Sequence, residues 1–109
     1  MDQPPRPDQS LEDLRRLHAT LDRLVRRLTR RMYGTVRETQ MDAGAAIGLL
    51  YGLEVPNRAI LSSTLASLVR ELGQRRPDLF RFIVTLESSL EQIGAMLPPG
   101  DRAGGPPPA

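Results

Sequence analysis

Hydrophobic residues near the start of the chain recur at alternating spacings of three and four. The repeating positions are Leu11, Leu14, His18, Leu21, Val25, Leu28, Met32 and Thr35. This is the a/d spacing of a helix that packs against another helix. We expect the helix–helix interface to consist of Leu14, His18, Leu21, Val25, Leu28 and Met32.

The length of this first helix depends on what happens at Gly34. Beyond residue 11 no proline occurs before Pro56, and apolar positions continue past Gly34. The pattern therefore favours one long helix from about Leu11 to about Leu53, bent near Gly34 and about 65 Å long at 1.5 Å per residue. Two alternatives stay open. The helix could break at Gly34 to give a compact four-helix bundle, or a new helix could begin with Asp42 as its N-cap.

Turn-forming residues divide the rest of the chain into two further helices. Pro56 and Asn57 predict a turn and an N-cap for a helix over 58–72, with Gly73 as its C-cap. Another apolar seam runs from Pro77 or Asp78 to about residue 97, where two prolines end it. These two helices are expected to form an antiparallel hairpin on the C-terminal half of the first.

The sequence thus predicts an all-α fold: a small helical bundle with a long N-terminal helix and a C-terminal antiparallel helical hairpin. Residues 1–9 and 98–109 are rich in proline, glycine and charge, which predicts disordered tails on either side of a helical domain at 10–97. Ser10 is the expected N-cap of the first helix. A first helix longer than the hairpin leaves part of its seam uncovered, which favours a homo-oligomer or a helical protein partner.

Three glycines spaced four apart, at Gly44, Gly48 and Gly52, would line one side of a helix. Such spacing lets another backbone approach closely. The expected neighbour is the next helix, whose residues 62–67 are mostly small, so that residues 43–69 form a tight helical hairpin packed in a bundle or a dimer. Alternatively, the glycines are merely tolerated there, or this hairpin of residues 43–69 inserts shallowly into a membrane.

Arginines dominate the other side of the first helix. Six occur without an intervening acid, and all 15 basic residues of the chain are arginine. We call the six the arginine ridge: Arg23, Arg26, Arg27, Arg30, Arg31 and Arg37. Such a surface can neutralise phosphates of a nucleic acid, although it lacks the aromatic residues that stack on unpaired bases. The alternatives are a solvated face, or docking to an acidic protein or an anionic membrane surface.

Residues for catalysis or metal binding do not cluster in the sequence. There is no cysteine, and His18 is the single histidine, on an apolar seam. Glu87 and Glu91 are one helical turn apart without a histidine or a second acid pair nearby. We therefore predict no catalytic residues, no metal, no cofactor and no small-molecule substrate, and we do not expect an enzyme.

The polar first ten residues do not resemble a signal peptide, and the longest apolar runs without charge, 43–53 and 59–69, have 11 residues. A membrane span needs about 20, so we expect no span and a cytoplasmic location. The function that the pattern favours is a non-catalytic helical protein–protein interaction or oligomerisation module, or a small subunit of a larger assembly. The alternative is a nucleic-acid-binding protein that uses the arginine ridge.

Overall fold

The computed structural model of the chain describes residues 7–30, 36–75 and 78–98. These residues form four α-helices and no strand: α1 (Pro7–Arg30), α2 (Val36–Leu50), α3 (Arg58–Leu72) and α4 (Phe80–Met96). The predicted all-α helical bundle is confirmed. The predicted tails fall mainly outside the described residues, although residues 7–9 belong to α1.

The prediction of one helix from Leu11 to Leu53 is wrong. Arg27 in α1 donates a hydrogen bond from Nη1 to Oδ2 of Asp42 in α2, over 2.6 Å. In an unbroken helix these residues would lie about 22 Å apart along the axis. The chain therefore folds back between α1 and α2, as in the compact four-helix alternative, and Asp42 lies inside α2 rather than at its N-cap. Gly34, the predicted bend, lies outside the described residues.

Neighbouring helices run antiparallel around the bundle. Gln40 of α2 donates to the backbone carbonyl of Val69 in α3 over 3.1 Å. Arg81 at the start of α4 donates to the Glu71 carboxylate at the end of α3, also over 3.1 Å. Helix α4 returns to pack against α1, so each helix has two neighbours and the bundle closes.

The core is built mainly from leucine, and α1 contributes the widest buried face. Leu17 and Leu24, which lie beside the predicted seam, are completely buried. With these two leucines, about three of every seven residues of α1 face the core, instead of the two of every seven that an a/d seam alone would supply. A face this wide can contact two helices at once, whereas a strict a/d stripe serves one partner. Helix α1 accordingly packs against both α2 and α4.

The observed helix ends differ from the predicted ones at two places. Helix α1 begins at Pro7, three residues before the predicted N-cap Ser10, and the fixed φ of proline suits a first helical position. Helix α4 begins at Phe80 rather than at Asp78. The Asp78 backbone N–H instead donates to the Glu71 carboxylate over 3.2 Å. Pro77 lies outside the described residues.

Helix α3 has the predicted bounds. Asn57 is its N-cap residue in the left-handed conformation, with φ 56°, a conformation that asparagine adopts more readily than most residues. Its side chain does not cap the helix and lies 3.5 Å from the Gln92 amide oxygen of α4. Gly73 ends the helix as predicted.

Candidate interaction surfaces

The predicted interface residues of α1 are buried within a single chain. Leu14, His18, Leu21, Val25 and Leu28 are all buried in the bundle, and Met32 lies outside the described residues. The helices that cover this seam belong to the chain itself. Helix α1 is still the longest, with 24 residues against 15 to 17 in the other helices, but its seam from Leu14 to Leu28 is not left uncovered.

His18 lies where α1 packs against α4, and it depends on a glycine of α4 for space. A Cβ atom placed on Gly94 would lie 3.0 Å from His18 Nε2. Burial of the imidazole lowers the pKa of His18 below its usual 6.5, and the negative charge of Asp22 opposes this shift only partly. Gly94 was not among the residues predicted from the sequence, although a glycine beside the apolar seam of α4 is a signal of close packing.

Acidic side chains of the same chain partly neutralise the arginine ridge. Arg23 and Arg27 both reach the Asp42 carboxylate, with N–O distances of 3.6 and 2.6 Å. Arg26 pairs with Asp22 over 3.1 Å. Arg37 is exposed, whereas Arg31 and the Arg30 side chain lie outside the described residues. These ion pairs hold part of the ridge against α1 and α2.

Within the single chain, the α2 glycines do not pack closely against the next helix, and their packing in a dimer stays a prediction. Apart from the glycine's own helical neighbours, no atom of the described residues lies within 4 Å of a Cβ placed on Gly44, Gly48 or Gly52. Helix α2 does pack against α3, but its buried residues are Thr39, Ala43, Ala46 and Leu50. Because successive residues rotate by about 100° around a helix, Gly44 and Gly48 point away from this buried side.

The glycines belong instead to an exposed stripe along α2. Its members are spaced four, three, four and three apart, and we call it the α2 stripe: Arg37, Met41, Gly44, Gly48 and Tyr51. The side chains of Met41 and Tyr51 are 65% and 83% exposed. The glycines were predicted from the sequence as a packing surface, whereas the two large residues that continue their spacing, Met41 and Tyr51, were not.

A shallow hollow of about 210 Å³ adjoins one end of the α2 stripe, between α2 and α3. Its lining is mainly apolar and comprises Ile47, Leu50, Tyr51, Arg58, Ala59 and Ser62. The Arg58 guanidinium donates to the Leu53 carbonyl over 3.2 Å and lies 3.8 Å from the Glu54 carboxylate. The hollow is smaller than a typical ligand pocket of about 300–1,000 Å³ and suits a single side chain.

Two features are absent from the described residues: a cluster of metal-binding side chains and a membrane-spanning helix. No three histidine, cysteine or acidic side chains in the described part of the chain are arranged to hold a metal ion. Within the same ranges, no helix combines the length and the apolar character that crossing a membrane requires.

Comparison with protein-family models, curated proteins and solved structures finds no match for this chain.

Proposed function

We propose that this protein is a non-catalytic helical interaction module, and that the α2 stripe is its docking surface for another helix. The observation that carries the proposal is the position of the stripe, which lies opposite the buried side of α2. A helix in a small bundle ordinarily presents polar and charged residues on that outer side.

The outer side of α2 is unusual because it carries almost no charge. Between Glu38 and Glu54 the only charged residue is Asp42, which is bound to two arginines of α1. Single exposed apolar residues are common on protein surfaces. Here, however, Met41 lies on the exposed side of α2 and Tyr51 lies in the turn that directly follows the helix, and both residue types are enriched at protein interfaces.

The two central glycines add a thermodynamic argument. Each glycine inside a helix costs about 1 kcal/mol relative to alanine. Packing within the chain does not require glycine at position 44 or 48, because a Cβ atom at either position would have no contact within 4 Å. A helix docked from outside would make use of the missing side chains, because glycine lets two helix backbones approach closely.

Nucleic-acid binding through the arginine ridge has less support. Arg23, Arg26 and Arg27 each have an acidic partner in the same chain. A phosphate would have to compete with these carboxylates, which lowers the gain from each contact. Docking on Met41, Gly44, Gly48 and Tyr51 requires no side-chain hydrogen bond or ion pair between described residues to be broken.

Site-specific photo-cross-linking in cells that produce the protein tests the proposal. A photoreactive phenylalanine derivative replaces Tyr51 in one variant and Val84 of α4 in the control, two positions that are 83% and 74% exposed. We expect a discrete protein adduct from position 51 and little from position 84, and the same adduct when its purified components are mixed. Equal yields at both positions, or no adduct at position 51, would refute a docking role for the stripe.

A further inference from the structure

We propose that the helix that docks on the α2 stripe is α2 of a second copy of this chain, paired antiparallel about a twofold axis near residue 46. This inference rests on the proposed function and adds the identity of the partner. It is carried by the register of the stripe, by its charges and by the adjoining hollow, rather than by the glycines alone.

The residue spacing of the stripe is self-complementary when two copies run antiparallel. With the axis near residue 46, Met41 of one copy faces Tyr51 of the other, and Gly44 faces Gly48. Twofold symmetry forms each of these contacts twice. The two glycine pairs lie nearest the axis, where the backbones come closest, and the large side chains close the two ends. Methionine sulfur packs favourably against aromatic rings, which suits the outer pair.

The charges at the ends of the stripe select the same orientation. In the antiparallel register Glu54 of one copy comes near both Arg37 and Glu38 of the other, and of these two residues only Arg37 lies on the stripe. Glu54 is available for this contact because its side chain is 99% exposed. Its carboxylate lies 3.8 Å from the Arg58 guanidinium, a long distance for an ion pair. Parallel pairing would instead bring Arg37 of one copy next to Arg37 of the other, and like charges repel.

The hollow next to Tyr51 supplies shape complementarity. It lies between α2 and α3, at the end of the stripe where Met41 of the second copy arrives. Methionine has a flexible, unbranched side chain that adapts to irregular gaps. The Met41 side chain, which is largely exposed in one chain, would thereby become buried in the dimer.

The size of the contact sets the expected affinity. Helix α2 has 15 residues and is therefore about 22 Å long. A contact one helix wide over this length falls below the roughly 1,200 Å² that stable complexes bury, so the dimer should be weak, with a dissociation constant of about 10–100 μM.

Disulfide trapping tests the register directly. Because the chain contains no cysteine, each variant carries only the one cysteine that is introduced. Variants Met41→Cys and Tyr51→Cys are mixed in equal amounts in a glutathione redox buffer. We expect the mixed 41–51 disulfide to dominate over the two symmetric ones. In the antiparallel register two copies of residue 41 would lie about 15 Å apart, well beyond the reach of a disulfide. Symmetric disulfides in equal or greater amount, or no disulfide at all, would overturn the proposal.

Charge reversal provides a second test, read by sedimentation velocity from about 10 to about 500 μM, a range that brackets a weak dimer. Arg37→Glu should weaken dimerisation by about tenfold, because two ion pairs become two repulsions. The double variant Arg37→Glu with Glu54→Arg keeps the net charge of the natural chain and should restore the affinity. If the double variant is no stronger than the single one, the proposed pairing is wrong.

The outcomes separate this inference from the proposed function. A chain that stays monomeric throughout, with statistical disulfide formation, overturns the second copy as the partner. The proposed function then stands or falls on cross-linking from position 51 to a different protein. An adduct of twice the chain mass at position 51 supports both.

Discussion

Replacing helical glycines by alanine at two positions should have opposite effects on stability. Gly48 of α2 and Gly94 of α4 both lie inside helices, so helix propensity alone predicts a gain of about 1 kcal/mol at each. Their surroundings differ. A Cβ atom on Gly48 meets nothing within 4 Å, whereas one on Gly94 lies 3.0 Å from His18 Nε2.

The magnitudes follow from these distances. Gly48→Ala should stabilise the chain by about 1 kcal/mol, which raises Tm by about 4–8 °C in a domain of this size. At Gly94 the added methyl group forces the buried His18 ring to move, and overpacking of this kind typically costs about 1–3 kcal/mol. The expected net effect of Gly94→Ala is therefore a loss of about 1 kcal/mol, once the propensity gain is subtracted.

Urea unfolding followed by circular dichroism at 222 nm measures both variants at a low protein concentration, at which the proposed dimer would dissociate. A double-mutant cycle with His18→Ala isolates the contact, because removing the ring should turn Gly94→Ala into a stabilising change. Equal gains from Gly48→Ala and Gly94→Ala in the natural background would refute the described packing of α1 on α4. A loss of stability from Gly48→Ala would show that its face is occupied in the monomer.

Three further predictions concern the core, the ion pairs and pH. Leu24→Ala should cost about 3 kcal/mol in urea unfolding, because Leu24 is completely buried, and a cost below about 1 kcal/mol would contradict its place in the core. Asp42→Asn removes the shared partner of Arg23 and Arg27, and since all three side chains are partly exposed we expect a loss of about 1 kcal/mol, which high salt should diminish. Because burial lowers the folded pKa of His18 below the unfolded value of 6.5, the unfolded chain binds more protons in the interval between them. Stability should therefore be full above pH 6.5 and fall as the pH drops towards the folded pKa, and His18→Gln should remove this dependence; an unchanged slope in that variant would assign it to another group.

The sequence pattern predicted the helices better than their arrangement. Apolar periodicity located α3 closely and α4 to within two residues, because each has a single buried side and clear breakers at its ends. It failed at the division between α1 and α2, because a single glycine costs a helix only about 1 kcal/mol and so does not decide between a helix and a turn. Leu17 and Leu24, seven residues apart beside the seam, could have indicated the break. The wide apolar face that they create needs two neighbouring helices, which a single long helix with a hairpin at its C-terminal half does not supply.

The candidate site was predictable only in part. The glycine spacing was visible in the sequence, but its direction was not, because alanine and glycine serve equally on a buried or an exposed side of α2. The choice depends on which side meets α3, a property of the tertiary structure. The bond from Arg27 to Asp42 was hidden for the same reason, since it forms only after the chain folds back.

The central claim is that the exposed side of α2 docks another helix, and the yield of photo-cross-linking from position 51 tests it most directly. The comparison is between the natural background, Gly48→Arg on the stripe and the matched control Ser88→Arg on the exposed side of α4. Gly48→Arg should leave the fold intact, because nothing lies within 4 Å of its Cβ position, and it should abolish the adduct. Ser88→Arg should leave the yield unchanged. An adduct that survives Gly48→Arg at full yield would contradict the account.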